Sequence, residues 1–328
     1  MAKKKFGLFD FTKEGKGVKK DDYIEDKPFT LLTFFKTLGR NFWNFTGLNF
    51  LYLVINFPIF FGMFALSGNL NFTSHTPLNP LYSQIFGIMN ASTQSSPVTQ
   101  LHFSKLYGEY ASSMPSTATI VFLGITLLIV FTFGISNCGL AAVLRGYTRK
   151  DPVFLASDFF GAIGANWKQA LPMGIIDAVA TFVVFYVFNF WRTYSQSFVN
   201  DIMFYLSIFL LVAYFFMRFY MYILMITFDL SVYKIFKNSF IFALLGIKRN
   251  LIALLGIAVV LFLNFYIFAL FMPLGVILPF AITVSLCSFI AVYCAYPNVK
   301  KFMIDPYYSD KDMSGDYDDD EPIFVDRG

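Results

Sequence analysis

Residues 202–228 read IMFYLSIFLLVAYFFMRFYMYILMITF, a long apolar run in which Arg218 is the only charge. About 20 mostly apolar residues suffice to carry a helix across the ~30 Å hydrocarbon core of a bilayer. Five further runs qualify or nearly so: 48–66, 118–144, 170–191, 251–272 and 274–297. Only Pro273 and the segment up to Pro279 separate the last two, which reads as a tight turn or a re-entrant kink. Over all 328 residues, 57% are hydrophobic and 14% charged, with a mean hydropathy of +0.60. Soluble domains carry roughly a quarter of charged residues. The composition excludes a soluble enzyme, a disordered chain and a disulfide scaffold. It predicts an all-α membrane protein of six transmembrane helices.

Charge orients the spans. Ten of the 25 Lys and Arg fall in residues 1–44, and nine Asp or Glu fall in the last 24 residues. With the N-terminus inside, 22 basic residues face the cytoplasm and two, Lys105 and Arg192, face outward. The positive-inside bias then predicts that both termini are cytoplasmic in the cell membrane. The expected organisation is a cytoplasmic N-terminal tail over 1–27, a transmembrane domain over 28–300 and an acidic cytoplasmic tail over 301–328. The only sizeable extracellular region is the loop 67–117. Within it, residues 81–89 and 100–110 read as short helices on the outer leaflet, with Tyr82, Phe86, His102, Phe103, Tyr107 and Tyr110 as interface anchors or, in the alternative, as a surface on which a sugar stacks. The basic N-terminal tail reads as facing anionic headgroups. It is interrupted by Asp21, Asp22, Glu25 and Asp26, and nucleic acid is not an expected partner. No apolar run with a cleavage site follows Lys3–Lys5, so the first span is expected to act as its own insertion signal.

A unit recurs three times. Phe34-Phe35 precede Gly39 and Asn41, Phe159-Phe160 precede Gly164 and Asn166, and a looser copy runs from Phe242 through Gly246 to Asn250. Upstream of each Asn, apolar residues recur at helical spacing, as in Leu31, Phe35, Leu38 and Phe42. Such segments predict amphipathic helices lying in the cytoplasmic interface. Each leads, at a corner marked by Asn41, Asn166 or Asn250, into an out-and-back hairpin. The fold expectation is three hairpins, each preceded by one interfacial helix.

Chemistry is sparse. There is no phosphate-binding glycine loop, no dinucleotide fingerprint, no zinc-protease motif and no nucleophile elbow. Cys138, Cys287 and Cys294 all lie in apolar runs without metal spacing, and His75 and His102 are the only histidines. No catalytic residue, metal or cofactor is expected, and an enzyme is not. The sharp feature is a pair of opposite charges within spans, Asp177 and Arg218. Both lie roughly 10–15 Å deep, at ~1.5 Å per residue. An isolated charge there costs at least ~2.5–3.5 kcal/mol, so the two are expected to pair. Thr181 follows Asp177 at i+4, and Tyr214 and Tyr222 flank Arg218 at i±4, extending one polar stripe. Asn49 and Asn56 stripe the first span and Asn264 marks the fifth. The stripe is either interhelical glue or a path for substrate or protons.

The chain resembles the YesL-like membrane proteins of Gram-positive bacteria. The resemblance rests on Phe6-Gly7-Leu8-Phe9-Asp10, Gly15–Asp21, Asn41-Phe42-Trp43 and Asn49–Tyr52 running to Pro58. It continues through Gly139–Ala142, Arg149-Lys150-Asp151-Pro152, Ser157–Phe160, Asn166–Ala170, Phe228–Ser231 and Lys237-Asn238-Ser239. It covers nearly all of the chain outside 67–117 and the acidic tail. What it implies is an accessory role beside a carbohydrate uptake system of the ABC type or a membrane sensor. The competing expectation is a transporter or channel in its own right, built on Asp177 and Arg218. Against that stands the lack of an evident pair of Gly- or Pro-broken spans, the usual frame of a midplane site.

Overall fold

A computed structural model describes residues 29–77, 109–193 and 197–306. Helix α1 (Leu31–Arg40) is capped by Thr30, whose hydroxyl accepts from the Thr33 N–H. It is strongly two-faced. Phe34 stacks on Phe289 with ring centroids 5.0 Å apart, whereas Leu31, Leu32 and Phe35 remain exposed.

Helices α2 (Phe42–Ile55) and α3 (Pro58–Leu66) form an apolar pair bent by 70° at their junction, the shape of a broken span or of a re-entrant loop. Pro58 cannot donate the N–H that would continue the ladder. At the break, Asn56 donates its amide to the Tyr52 carbonyl at 3.0 Å and to Ser136 Oγ at 2.7 Å. Strands β1 (Phe72–Pro77) and β2 (Glu109–Met114) then pair antiparallel, with Phe72 opposite Met114. The helix expected over 100–110 is corrected at its end, since residues 109 and 110 are strand. Residues 81–89 and the anchors Tyr82, Phe86, His102, Phe103 and Tyr107 lie outside the described residues.

Helices α4 (Thr117–Thr126) and α5 (Ile129–Arg149) together form a 33-residue apolar stretch. It stops where the sequence Arg149-Lys150-Asp151-Pro152 demands it. Lys150 adopts the left-handed conformation at φ 66°, Asp151 N–H returns to the Gly146 carbonyl at 3.0 Å, and Pro152 bars continuation. Next come α6 (Leu155–Thr193), α7 (Phe198–Thr227), α8 (Val232–Leu245) and α9 (Ile247–Leu270). The chain turns back at Phe271 into α10 (Met272–Leu278), a π turn (Pro279–Thr283), α11 (Val284–Val299) and a second π turn (Lys300–Ile304).

Three expectations are corrected. Residues 155–193 are one helix, so Asn166 is not a corner. Its amide donates to the Ala162 carbonyl one turn back, at 2.9 Å, which spares an interior Asn any competition with the helix. The third corner falls at Gly246, and Asn250 sits one turn inside α9. Helical backbone also continues through residue 306, past the tail boundary expected at 301. Asn41 does stand at the α1–α2 break, its amide on the Thr37 carbonyl at 3.0 Å.

The break expected between Pro273 and Pro279 falls at Phe271, just before Pro273, while Pro279 opens the π turn inside the last span, and a distant side chain holds that turn. Asn49, fully buried on α2, donates to the carbonyls of Pro279 at 3.0 Å and Phe280 at 2.6 Å. Its carbonyl accepts the Ser285 N–H at 3.0 Å. A proline and a π turn leave backbone groups that lipid cannot satisfy, and one asparagine answers three of them. Asn49→Leu keeps the branched heavy-atom skeleton and strands those groups. At about 1–3 kcal/mol for each buried unsatisfied polar group, it is expected to lower the unfolding midpoint in detergent more than Asn264→Leu, whose amide meets only Thr283 Oγ1 at 2.7 Å.

The closest helix crossing joins α5 and α6. A Cβ placed on Gly134 would fall onto the Ala170 carbonyl and the Gly174 Cα, and one on Gly174 would meet the Gly134 backbone. Two glycines facing each other let the backbones touch, the usual basis of tight packing between helices in lipid.

Candidate functional site

The site grows from that crossing. Gly174 holds α6 against α5, and less than one turn later Asp177 points inward, fully buried. Helix α7 runs alongside and presents Tyr214, Arg218 and Tyr222 from three successive turns of one face. All three reach the same carboxylate. Arg218 Nε lies 3.0 Å from Oδ1 and donates to Oδ2 at 3.3 Å. Tyr214 donates to Oδ1 at 2.6 Å and to the Asp177 carbonyl at 3.1 Å, and Tyr222 donates to Oδ2 at 2.7 Å. Thr181 adds a long contact of 3.5 Å from its own helix.

The tyrosines therefore serve the aspartate, although the sequence places them as neighbours of the arginine. A buried carboxylate is tolerable when a cation and several hydroxyl donors surround it, and this one has all of them. Arg218 is also stacked, its guanidinium carbon 5.1 Å from the centre of the Phe133 ring on α5. The cluster ties α5, α6 and α7 into one block.

Two neighbouring networks escaped sequence reasoning. At the α8–α9 corner, Tyr220 donates to Asn250 Oδ1 at 2.7 Å and accepts from Asn298 Nδ2 at 2.9 Å, while Asn250 donates to the Ala243 carbonyl at 2.9 Å. At the end of α7, Arg145 donates to the Ile226 carbonyl at 2.7 Å and to Thr227 Oγ1 at 3.0 Å, the favourable place for a cation at a helix C-terminus. Asparagines in apolar runs were the available signal for the first. Nothing in the local sequence marks Arg145 as a cap.

Beside the cluster lies a cavity of about 320 Å³ bounded by α5, α7, α9, the π turn and α11. Its wall is mostly aliphatic and aromatic, with Arg218, Tyr222, Asn137, Thr283 and Ser288 as the polar exceptions. Arg218 thus belongs to both features, meeting Asp177 through Nε and lining the cavity. Its side chain is 27% exposed where that of Asp177 is fully buried. The sequence offered no signal for this space.

Five helices, or six counting the bent α2–α3 pair, are long and apolar enough to cross a membrane. The chain is a multi-pass α-helical membrane protein. Compared with family models, curated proteins and solved structures, it finds no match.

Proposed function

We propose that this chain is a non-enzymatic accessory or regulatory component of a carbohydrate uptake system of the ABC type, and a member of the YesL-like group. In this reading it crosses the cell membrane six times as three hairpins, with both termini cytoplasmic. Helices α1 and α8 and the first turns of α6 lie at the cytoplasmic face, where Lys36, Arg40, Lys168, Lys234 and Lys237 are available to headgroups or to an acidic partner surface. One observation carries the reading. The in-span charges consume each other, because Asp177 is buried and fully met by Arg218, Tyr214 and Tyr222. A carboxylate so engaged serves cohesion rather than turnover of a solute.

A second reading, a transporter or channel in its own right, gains from two backbone breaks that the sequence did not make evident. The 70° bend at Asn56–Phe57 and the π turn at Pro279–Thr283 lie on spans that Asn49 joins directly. Paired interruptions of this kind frame substrate sites in many transporters. Purified protein in proteoliposomes separates the two. The accessory reading expects no saturable sugar or ion uptake by the chain alone, and co-purification with an ABC-type sugar permease from native membranes in mild detergent. Saturable uptake abolished by Asp177→Asn overturns it.

Orientation is tested separately. With single cysteines at positions 95 and 316 in a background lacking the natural three, an impermeant maleimide on intact cells is expected to label Ser95→Cys and spare Asp316→Cys. The reverse pattern turns the topology over.

A further inference from the structure

We infer that the cavity beside Arg218 is a binding site for an anionic amphiphile, with the guanidinium holding a carboxylate or phosphate head and the apolar wall holding its chain. The inference goes beyond the accessory reading and does not depend on it.

The head-group end follows from hydrogen-bond inventory. A guanidinium carries five N–H donors and no acceptor. Arg218 spends Nε on Asp177, and among the described residues Nη1 and Nη2 meet no acceptor. Those two nitrogens form the planar fork that recognises carboxylate and phosphate in bidentate fashion. Arg218 lines a space of about 320 Å³, large enough for a ligand, the lower end of the usual range being roughly 300 Å³. Asp177 does not compete for the head, because its two oxygens are already taken by Tyr214, Tyr222 and Nε. It also keeps the guanidinium in place, so the fork needs no reorganisation on binding.

The chain end follows from the helices. Both α7 and α9 line the cavity, α7 through Phe215, Phe219 and Ile223 and α9 through Ile257 and Leu261. Among the described residues these two helices make little contact with each other. Helix α9 packs on α10 and α11, and α7 on α5, α6, α8 and α11. Leu261 is 52% exposed at this seam. In a bilayer, a seam between two unpacked apolar helices faces acyl chains, so an amphiphile can enter sideways without passing through water. Arg218 lies nine residues from the end of α7. That is roughly 14 Å at ~1.5 Å per residue, and an alkyl or isoprenoid chain extends from there along the aliphatic wall.

The test uses the full chain in phosphatidylcholine nanodiscs with palmitate as the probe and cetyl alcohol as its uncharged counterpart. Saturable binding of palmitate is expected, with the alcohol weaker by about tenfold or more, the worth of one charge-assisted hydrogen bond. Ser288→Phe fills the cavity from α11 without touching the ion pair, and Leu261→Trp narrows the seam. Both are expected to abolish or weaken palmitate binding at an unchanged unfolding midpoint. Arg218→Lys, which keeps the charge and loses the fork, is expected to reduce the preference for acid over alcohol. Equal binding of acid and alcohol overturns the inference, and so does unaltered binding by a folded Ser288→Phe protein. Mass spectrometry of protein purified from its own membranes distinguishes the source. A retained anionic lipid assigns the site to the membrane, and binding only of added acid assigns it to a free amphiphile. Solute uptake by the chain alone would overturn the accessory reading and leave this site standing. Equal binding of acid and alcohol by the unaltered protein does the opposite.

Discussion

Asp177→Asn and Arg218→Gln are each expected to lower the unfolding midpoint sharply, with the double variant recovering part of the loss. Removing one member of a buried ion pair typically costs about 3–5 kcal/mol, because the partner is left charged in a low dielectric. The effect here is unequal between the two. Asp177→Asn strands Arg218, which is 27% exposed toward the cavity and stacked on Phe133. Arg218→Gln leaves a fully buried carboxylate held by the hydroxyls of Tyr214 and Tyr222 and the long contact from Thr181. The arginine variant is therefore the more damaging, and Tyr222→Phe in its background worsens it further. Thermal unfolding of the four proteins in one detergent measures the cycle. Strictly additive losses in the double variant would show that the pair is not energetically coupled.

Gly134→Leu is also expected to be strongly destabilising, and Gly134→Ala already measurable. The added Cβ would coincide with the Ala170 carbonyl and the Gly174 Cα, both backbone, so the neighbour cannot rotate away. Overpacking of this kind costs roughly 1–3 kcal/mol and sometimes more. Separating α5 from α6 also pulls Asp177 away from α7. The control is Gly164→Ala, on the same helix α6, where an added Cβ meets nothing within 4 Å. That change is expected to be neutral or to stabilise by about 0.5–1 kcal/mol, the usual gain of Ala over Gly inside a helix. Unfolding midpoints and retention of a monodisperse peak in size-exclusion chromatography report both. A tolerated Gly134→Leu would mean that the helices cross elsewhere.

Much of the architecture is legible without coordinates because lipid imposes a coarse rule. A backbone that crosses hydrocarbon must satisfy its own polar groups, so long apolar runs become helices, and these run at 202–228 and 251–272 agree with α7 and α9 to within a few residues. Local chemistry also reads directly. Asn41 breaks α1 from α2, at the corner expected there. Corners are less legible. The motif Gly164-Ala165-Asn166 resembles Gly39-Arg40-Asn41, yet one is helix interior and the other a break. The amide of Asn can bond the carbonyl one turn back in either setting, as it does at both positions. Whether the backbone continues depends on what the next turn packs against.

The sequence by itself determined a multi-pass helical membrane protein, the apolar runs from which its five or six candidate spans are built, and the identity of the two in-span charges. These are properties of composition and period, which each segment carries alone. Only the tertiary structure decided what those charges do. It alone gathers Tyr214 and Tyr222 onto Asp177, sets Asn49 against a π turn 230 residues away, and leaves a cavity behind Arg218. The reason is that polar groups in an apolar interior choose partners by proximity across helices. That proximity is set by which surfaces can touch, and Gly134 and Gly174 settle it for the block around Asp177.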